Sequence, residues 1–300
     1  MAEALQAIRR KIDSVAQLGA IVQTMKALAA AGIRQYERAA GAVEVHAETL
    51  ELGFQAFLRA HPVVGPGPER PEGRRLAAVV IGSEQGMCGA FNERLAGFAV
   101  ERLRPERGDP PPPVLVVGER AAERLRNMGA LAQETLPAAT SLAGVTPLIE
   151  RILSRVDGWL AGDRFDRLVV FHNRRLTGTA YRPRLVHLYP LPQHWFRELE
   201  GRRWPQRGLP TFTMDWRPLL SALTHEFLFV SLFRALVESL ESENASRLGA
   251  MEAAERNVEE LLGELQSDFR RERQDSMMAE LLDILAGYEA AEGEAIERRR

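Results

Sequence analysis

Three hundred residues suit one or two domains, and 45% hydrophobic residues are ample for a core. A formal net charge of -2 and a pI near 6.4 exclude a nucleic-acid footprint, which needs a clustered basic excess. A single cysteine, Cys88, excludes an internal disulfide and fits a reducing compartment.

The start MAEALQAIRRKID has no long apolar core followed by a cleavage site, and no stretch approaches about 18 uninterrupted apolar residues, so the expectation is a cytosolic chain or one peripheral to a membrane. The first long pattern is apolar at three-four spacing: Leu5, Ile8, Ile12, Val15, Gly19, Val22, Lys26, Ala29, Ile33, Tyr36, Ala40, Val43, Ala47, Leu50, Phe54 and Phe57. Only Gly19 and Lys26 break it. The mean step of about 3.5 residues keeps one stripe facing a partner helix through a left-handed supercoil. A helix from Leu5 to Phe57 would be roughly 78 Å long, and a stripe that narrow needs a partner of similar length. Lys26 and Lys11 are the only lysines among 39 basic residues, which reads as codon bias rather than function.

The middle of the chain reads as α/β. Residues 76–81 (LAAVVI), 114–117 (VLVV) and 168–171 (LVVF) are short continuous apolar runs of the kind found in a parallel sheet covered on both faces. A further strand at 185–189 lies between Pro183 and Pro190, which favours an edge. Helical composition at 91–103, 119–128 and 148–160 alternates with these strands and predicts a doubly wound, Rossmann-like layer. Residues 61–74 and 108–113 are proline-rich loops, and 190–218 connects the sheet to the last helix.

From residue 219 the apolar positions Leu219, Leu220, Leu223, Phe227, Leu228, Leu232, Phe233, Leu236, Val237 and Leu240 make a broad face that implies burial on several sides. Heptad phase then returns at Leu248, Met251, Val258, Leu262, Leu265 and Phe269, with Glu255 where one more apolar residue is expected. No proline precedes Pro62 and none follows Pro218. The economical architecture is an antiparallel coiled coil of long N- and C-terminal helices with a central α/β domain. Its parts are an N-terminal helix (1–60), a linker (61–75), the α/β domain (76–190), a connector (191–217), a C-terminal helix (218–291) and a charged tail (292–300).

The residues offer little chemistry. After the first strand comes Gly82-Ser83-Glu84-Gln85-Gly86-Met87-Cys88-Gly89, with neither G-x-G-x-x-G nor a lysine-bearing phosphate loop, so a tight turn is favoured over nucleotide binding. Cys88 with His172 or His187 would make a nucleophile and base, but a small buried thiol is the favoured reading. No metal-ligand spacing is present. The stretch 194–204 (HWFRELEGRRW) fits a packed connector better than a membrane contact.

Three separated segments carry a family resemblance. Residues 242–291 resemble, without a gap, the C-terminal helix of the gamma subunit of F-type ATP synthases, most specifically at Ser242-Glu243, Arg247, Ala250-Met251, Asn257, Leu265, Arg273-Gln274 and Glu280-Leu281. Residues 12–33 resemble the family's N-terminal helix. Residues 83–92 (SEQGMCGAFN) resemble its S-D-R-G-L-C-G-G-x-N turn through Ser83, Gly86, Cys88, Gly89 and Asn92.

The resemblance implies a rotor shaft inside a ring of alpha and beta subunits, with the α/β domain against the epsilon subunit and the membrane c-ring, at the cytoplasmic face of the cell membrane. It implies no cofactor, metal, catalytic residue or direct nucleotide binding, since the chemistry belongs to beta. Carried over by position, Arg273, Gln274 and Glu280 are expected to contact a beta subunit, with Met25 and Lys26 near its moving lever.

The departures are Arg270 for Asn, Met277-Met278 for Ile-Thr, Glu84-Gln85 for Asp-Arg, and the tail beyond Ala291. They fit a divergent member, such as the subunit of an alternative, sodium-translocating ATPase. A coiled-coil adaptor or scaffold with an α/β interaction domain would share every heptad argument, and a cysteine-dependent hydrolase is the enzymatic rival.

Overall fold

The computed structural model describes residues 2–61, 75–104, 111–130, 132–162, 165–205, 208 and 212–297. Most of the linker expected at 61–75 and part of the loop at 108–113 lie outside these. The chain runs α1 (Ala2–Ala60), β1 (Leu76–Ile81), α2 (Phe91–Arg102), β2 (Val114–Val117), α3 (Glu119–Asn127), β3 (Glu134–Leu136), α4 (Val145–Ala161), β4 (Arg167–Arg175), β5 (Tyr181–Tyr189), α5 (Gln193–Gly201) and α6 (Trp216–Glu297). It divides into two compact units. One comprises α1 up to Ala27 and α6 from Met251; the other comprises residues 28–250.

In the larger unit the strand order is β3-β2-β1-β4-β5. The first three pairings are parallel and β4–β5 is antiparallel. Leu168–Phe171 is the apolar centre of a strand that continues through polar residues to Arg175, and β5 begins at Tyr181, so Pro183 lies inside it rather than before it. A proline is tolerated there because β5 has only one neighbour.

Alternation along β1 divides the core. Ala78 and Val80, with Val116 and Phe171, lie under Leu95, Ala96, Ala99, Ala121, Ala122 and Leu125 of α2 and α3. Ala77, Val79 and Ile81 face the other side, under Ile149, Ile152 and Val156 of α4, Tyr36 of α1 and Leu232, Leu236 and Leu240 of α6. The broad apolar face of α6 is therefore a sheet cover. By length and composition alone α6 is apolar enough to cross a membrane, with a window of mean hydropathy 1.4.

The stretch expected to be a packed connector contains α5. It buries Phe196 and Leu199 against Phe54, Phe57 and Leu58 of α1 and Val230 of α6. Phe54 meets Trp195, Phe196 and Phe227 edge-on, with ring centroids 5.1, 6.0 and 6.4 Å away. Arg202 pairs with Glu51 at 2.6 Å, and Arg59 donates to the Arg202 carbonyl.

Among the described residues the smaller unit consists of two helical segments. Along α1, Ile8, Ile12, Val15, Gly19, Val22, Met25 and Lys26 are half-buried, as are Val258, Leu262, Leu265 and Phe269 along α6, while Met251 is buried. Helix α6 runs on to Glu297, past the end expected at residue 291, because residues 292–297 include alanine and glutamate and no proline.

Candidate functional site: turn, seam and outer helix face

The turn after β1 is built from side chains that satisfy one another. The buried Ser83 amide donates to Asn92 Oδ1 at 3.0 Å, Asn92 Nδ2 donates to Ser83 Oγ at 2.7 Å, and Ser83 Oγ donates to the Gln85 carbonyl at 2.8 Å. A Cβ on Gly82 would lie 2.3 Å from Ala121 Cβ, so only glycine lets α3 approach. Gly89 and Met87 take φ values of 55° and 58°. Gly86 has neither a positive φ nor a close neighbour, so backbone geometry does not require its glycine.

Cys88 is buried, and burial pushes its thiol up; Glu243 adds to that, against the hydrogen bond with Ser83 and the charge of Arg247. A raised thiol is a poor nucleophile. His172 Nε2 is engaged with Glu238 at 2.8 Å, and His187 lies at the surface on β5, where partial desolvation and then the charge of Arg167 lower it. The turn docks on α6: Ser246 Oγ donates to the Cys88 carbonyl at 2.5 Å, and Arg247 donates to the Gly86 carbonyl at 3.5 Å while pairing with Glu243 at 2.6 Å.

Where a doubly wound protein would offer a helix N-terminus to phosphate, this chain places its own anion. The Glu84 carboxylate accepts from the Glu119 amide at 3.4 Å, at the start of α3, and from the Ala138 amide at 2.9 Å. These donors suit an anion, and Glu84 fills that place. Among the described residues no group of three histidine, cysteine or acidic side chains is placed to hold a metal.

In the seam of the smaller unit, the two charged breaks meet. Lys26 Nζ donates to Glu255 Oε2 at 2.6 Å, and that hydrogen bond holds the ammonium above its ordinary value against partial desolvation. Gly19 faces Val258, whose Cγ1 would lie 3.2 Å from an added Cβ.

Arg273, Gln274 and Glu280 are exposed on α6. So are Met277, Met278, Leu281, Leu282, Ile284 and Leu285, at 47% to 69% exposure. At about 100° per residue these apolar positions span an arc of roughly 160° centred opposite the seam positions Glu272, Ser276 and Ala279. Gln274 lies on the centre line of that arc; Arg273 and Glu280, two turns apart, line one edge. Met277, Leu281 and Ile284, and Met278, Leu282 and Leu285, step by four and three like the seam but out of phase with it, so a pattern read for one seam passes over this outer face.

Among the described residues the fold thus presents a turn docked on α6, a paired seam and an exposed apolar helix face, and no metal cluster. A family model described as ATP synthase matches residues 4–291. The chain is 27% identical to an ATP synthase gamma chain of Geotalea uraniireducens (strain Rf4), over 96% of this chain and 99% of that one. It is 28% identical to the gamma chain of Glaesserella parasuis serovar 5 (strain SH0165), over 94% and 98%. Among solved structures it is similar to a chain of the Euglena gracilis mitochondrial ATP synthase rotor, with TM-score 0.65 and 16% identity over 92% of this chain and 100% of that one. A chain of the Tetrahymena thermophila mitochondrial ATP synthase central stalk and c-ring is similar with TM-score 0.54 and 20% identity, over 78% and 99%. The chain belongs to the ATP synthase gamma family.

Proposed function

We propose that this chain is the central shaft of an F-type ATP synthase, coupling ion flow through a membrane c-ring to ATP synthesis or hydrolysis on beta subunits. The observation that carries the reading is the exposed apolar face of α6 opposite its seam. A helix in water does not leave such a face open without a housing to cover it, and a surrounding ring of alpha and beta subunits is that housing. Arg273 supplies a planar fork of donors for beta carboxylates at the edge of the face, Gln274 and Glu280 add polar contacts, and Met25 and Lys26 act from the seam side. The α/β body meets epsilon and the c-ring, at the cytoplasmic face of the cell membrane.

The isolated chain is non-catalytic: Cys88 is a buried structural thiol, and Glu84 occupies the amides a phosphate would use. It neither hydrolyses ATP nor binds it tightly, and micromolar affinity by calorimetry would contradict that.

The test of the contact is reconstitution with the alpha and beta partners. Arg273→Ala with Gln274→Ala removes charge-assisted bonds while leaving good helix formers. Assembly and ATP turnover should fall well below those of a control with Arg298→Ala and Arg299→Ala, beyond the matched segment. Equal, negligible effects at both pairs would refute the contact.

A further inference from the structure

We infer that Lys26–Glu255 and Gly19–Val258 are keys that set the register of the helix pair in the smaller unit. The apolar seam alone selects register weakly. Ile8, Ile12, Val15 and Val22 on α1 and Val258, Leu262, Leu265 and Phe269 on α6 repeat at heptad spacing, so a slide by one heptad leaves most apolar residues facing apolar residues. Such a slide moves one helix by about 10 Å along the other.

The two interruptions remove that degeneracy. Lys26 on α1 and Glu255 on α6 each stand where the pattern expects an apolar residue, and the two meet at 2.6 Å. Sliding α6 by seven residues would bring Leu262 opposite Lys26 and Leu265 opposite Gly19. Both charges would then sit unpaired at the seam, and a longer side chain would press on Gly19, where even an added Cβ would lie 3.2 Å from Val258 Cγ1. A polar pair at a single seam position is an attested way to specify register in coiled coils. Among the described residues no third element packs in this unit, so beyond the continuity of α1 and α6 with residues 28–250, its register depends on side chains of these two segments. Resting on the proposed shaft function, the consequence is positional: Lys26 and Glu255 are positioning residues that fix the height at which α6 presents Arg273 and Gln274.

The experiment uses the full chain with Cys88→Ser, spin-labelled at Gln17→Cys and Ser267→Cys, both exposed, and reads the distance between labels by pulsed electron paramagnetic resonance. The parent should give one narrow distance. Lys26→Met with Glu255→Met keeps the seam apolar and the helices folded; it should add a second population displaced by up to about 10 Å, and Lys26→Glu with Glu255→Lys should restore one. A single unchanged distance in the methionine variant would overturn the inference, as would a second population that persists in the charge-swapped one. No ATP turnover is measured, so failure here is separable from failure of the shaft reading.

Discussion

Asn92→Ala tests whether the turn after β1 is held by the hydrogen bonds drawn above. Asn92 gives the Ser83 amide an acceptor at 3.0 Å and gives Ser83 Oγ a donor at 2.7 Å. Ser83 is 0% exposed, so water cannot replace the lost acceptor. An orphaned buried amide costs about 1–3 kcal/mol, and the lost bond to the hydroxyl adds about 1 kcal/mol. The larger unit should therefore lose about 2–4 kcal/mol. For a unit of this size each kcal/mol lowers the melting temperature by about 2–4 °C, giving a fall of roughly 4–16 °C. The assay is urea unfolding of the full chain followed by circular dichroism, with thermal melting alongside. Asn92→Asp is the informative companion, because its carboxylate still accepts from the Ser83 amide but cannot donate to Ser83 Oγ. A loss below about 0.5 kcal/mol for Asn92→Ala, at unchanged denaturant slope, would mean that the turn is held by something else.

Two glycine substitutions should diverge. Gly118 has φ 96° and would place a Cβ 2.5 Å from the Ser83 carbonyl oxygen, so Gly118→Ala should destabilise by more than about 2 kcal/mol, whereas Gly97, in open space on α2, should stabilise by about 0.5–1 kcal/mol on becoming alanine; urea midpoints of opposite sign are the check. Burial works to raise the Glu238 carboxyl, but the hydrogen bond and charge of His172 and the guanidiniums of Arg184 and Arg174 outweigh it and hold it below its ordinary value. A lowered carboxyl contributes stability that is present above the unfolded pKa and lost as pH falls through the folded one. The stability gap between the parent and Glu238→Gln should therefore narrow on acidification below about pH 5 in a urea series; burial holds Glu243 raised and gives it the opposite trend, which is common to both proteins and cancels.

What could be read from residues alone followed the physical strength of each signal. Strands β1 and β2 were legible to the residue because both faces are covered, leaving no polar position to blur a continuous apolar run. Only the centre of β4 was read, since His172 to Arg175 are polar residues whose partners come from α6 and α1. The three residues of β3 carry no apolar run, and α5 is one short helix following two prolines, so neither left a pattern. Gly19, Lys26 and Glu255 were visible as interruptions, but a linear pattern gives positions and not pairings. That two defects cancel is knowable only once the helices are aligned. The role of Arg273 and Gln274 came from resemblance, because an arginine and a glutamine on an exposed helix have no local signature.

The most direct measurement is rotation. With a ring of alpha and beta subunits fixed to a surface and a bead attached through a cysteine at an exposed position of the α/β body, ATP should drive stepwise rotation of this chain in one direction. A ring that assembles around the chain and hydrolyses ATP while the bead stays still would contradict the shaft account.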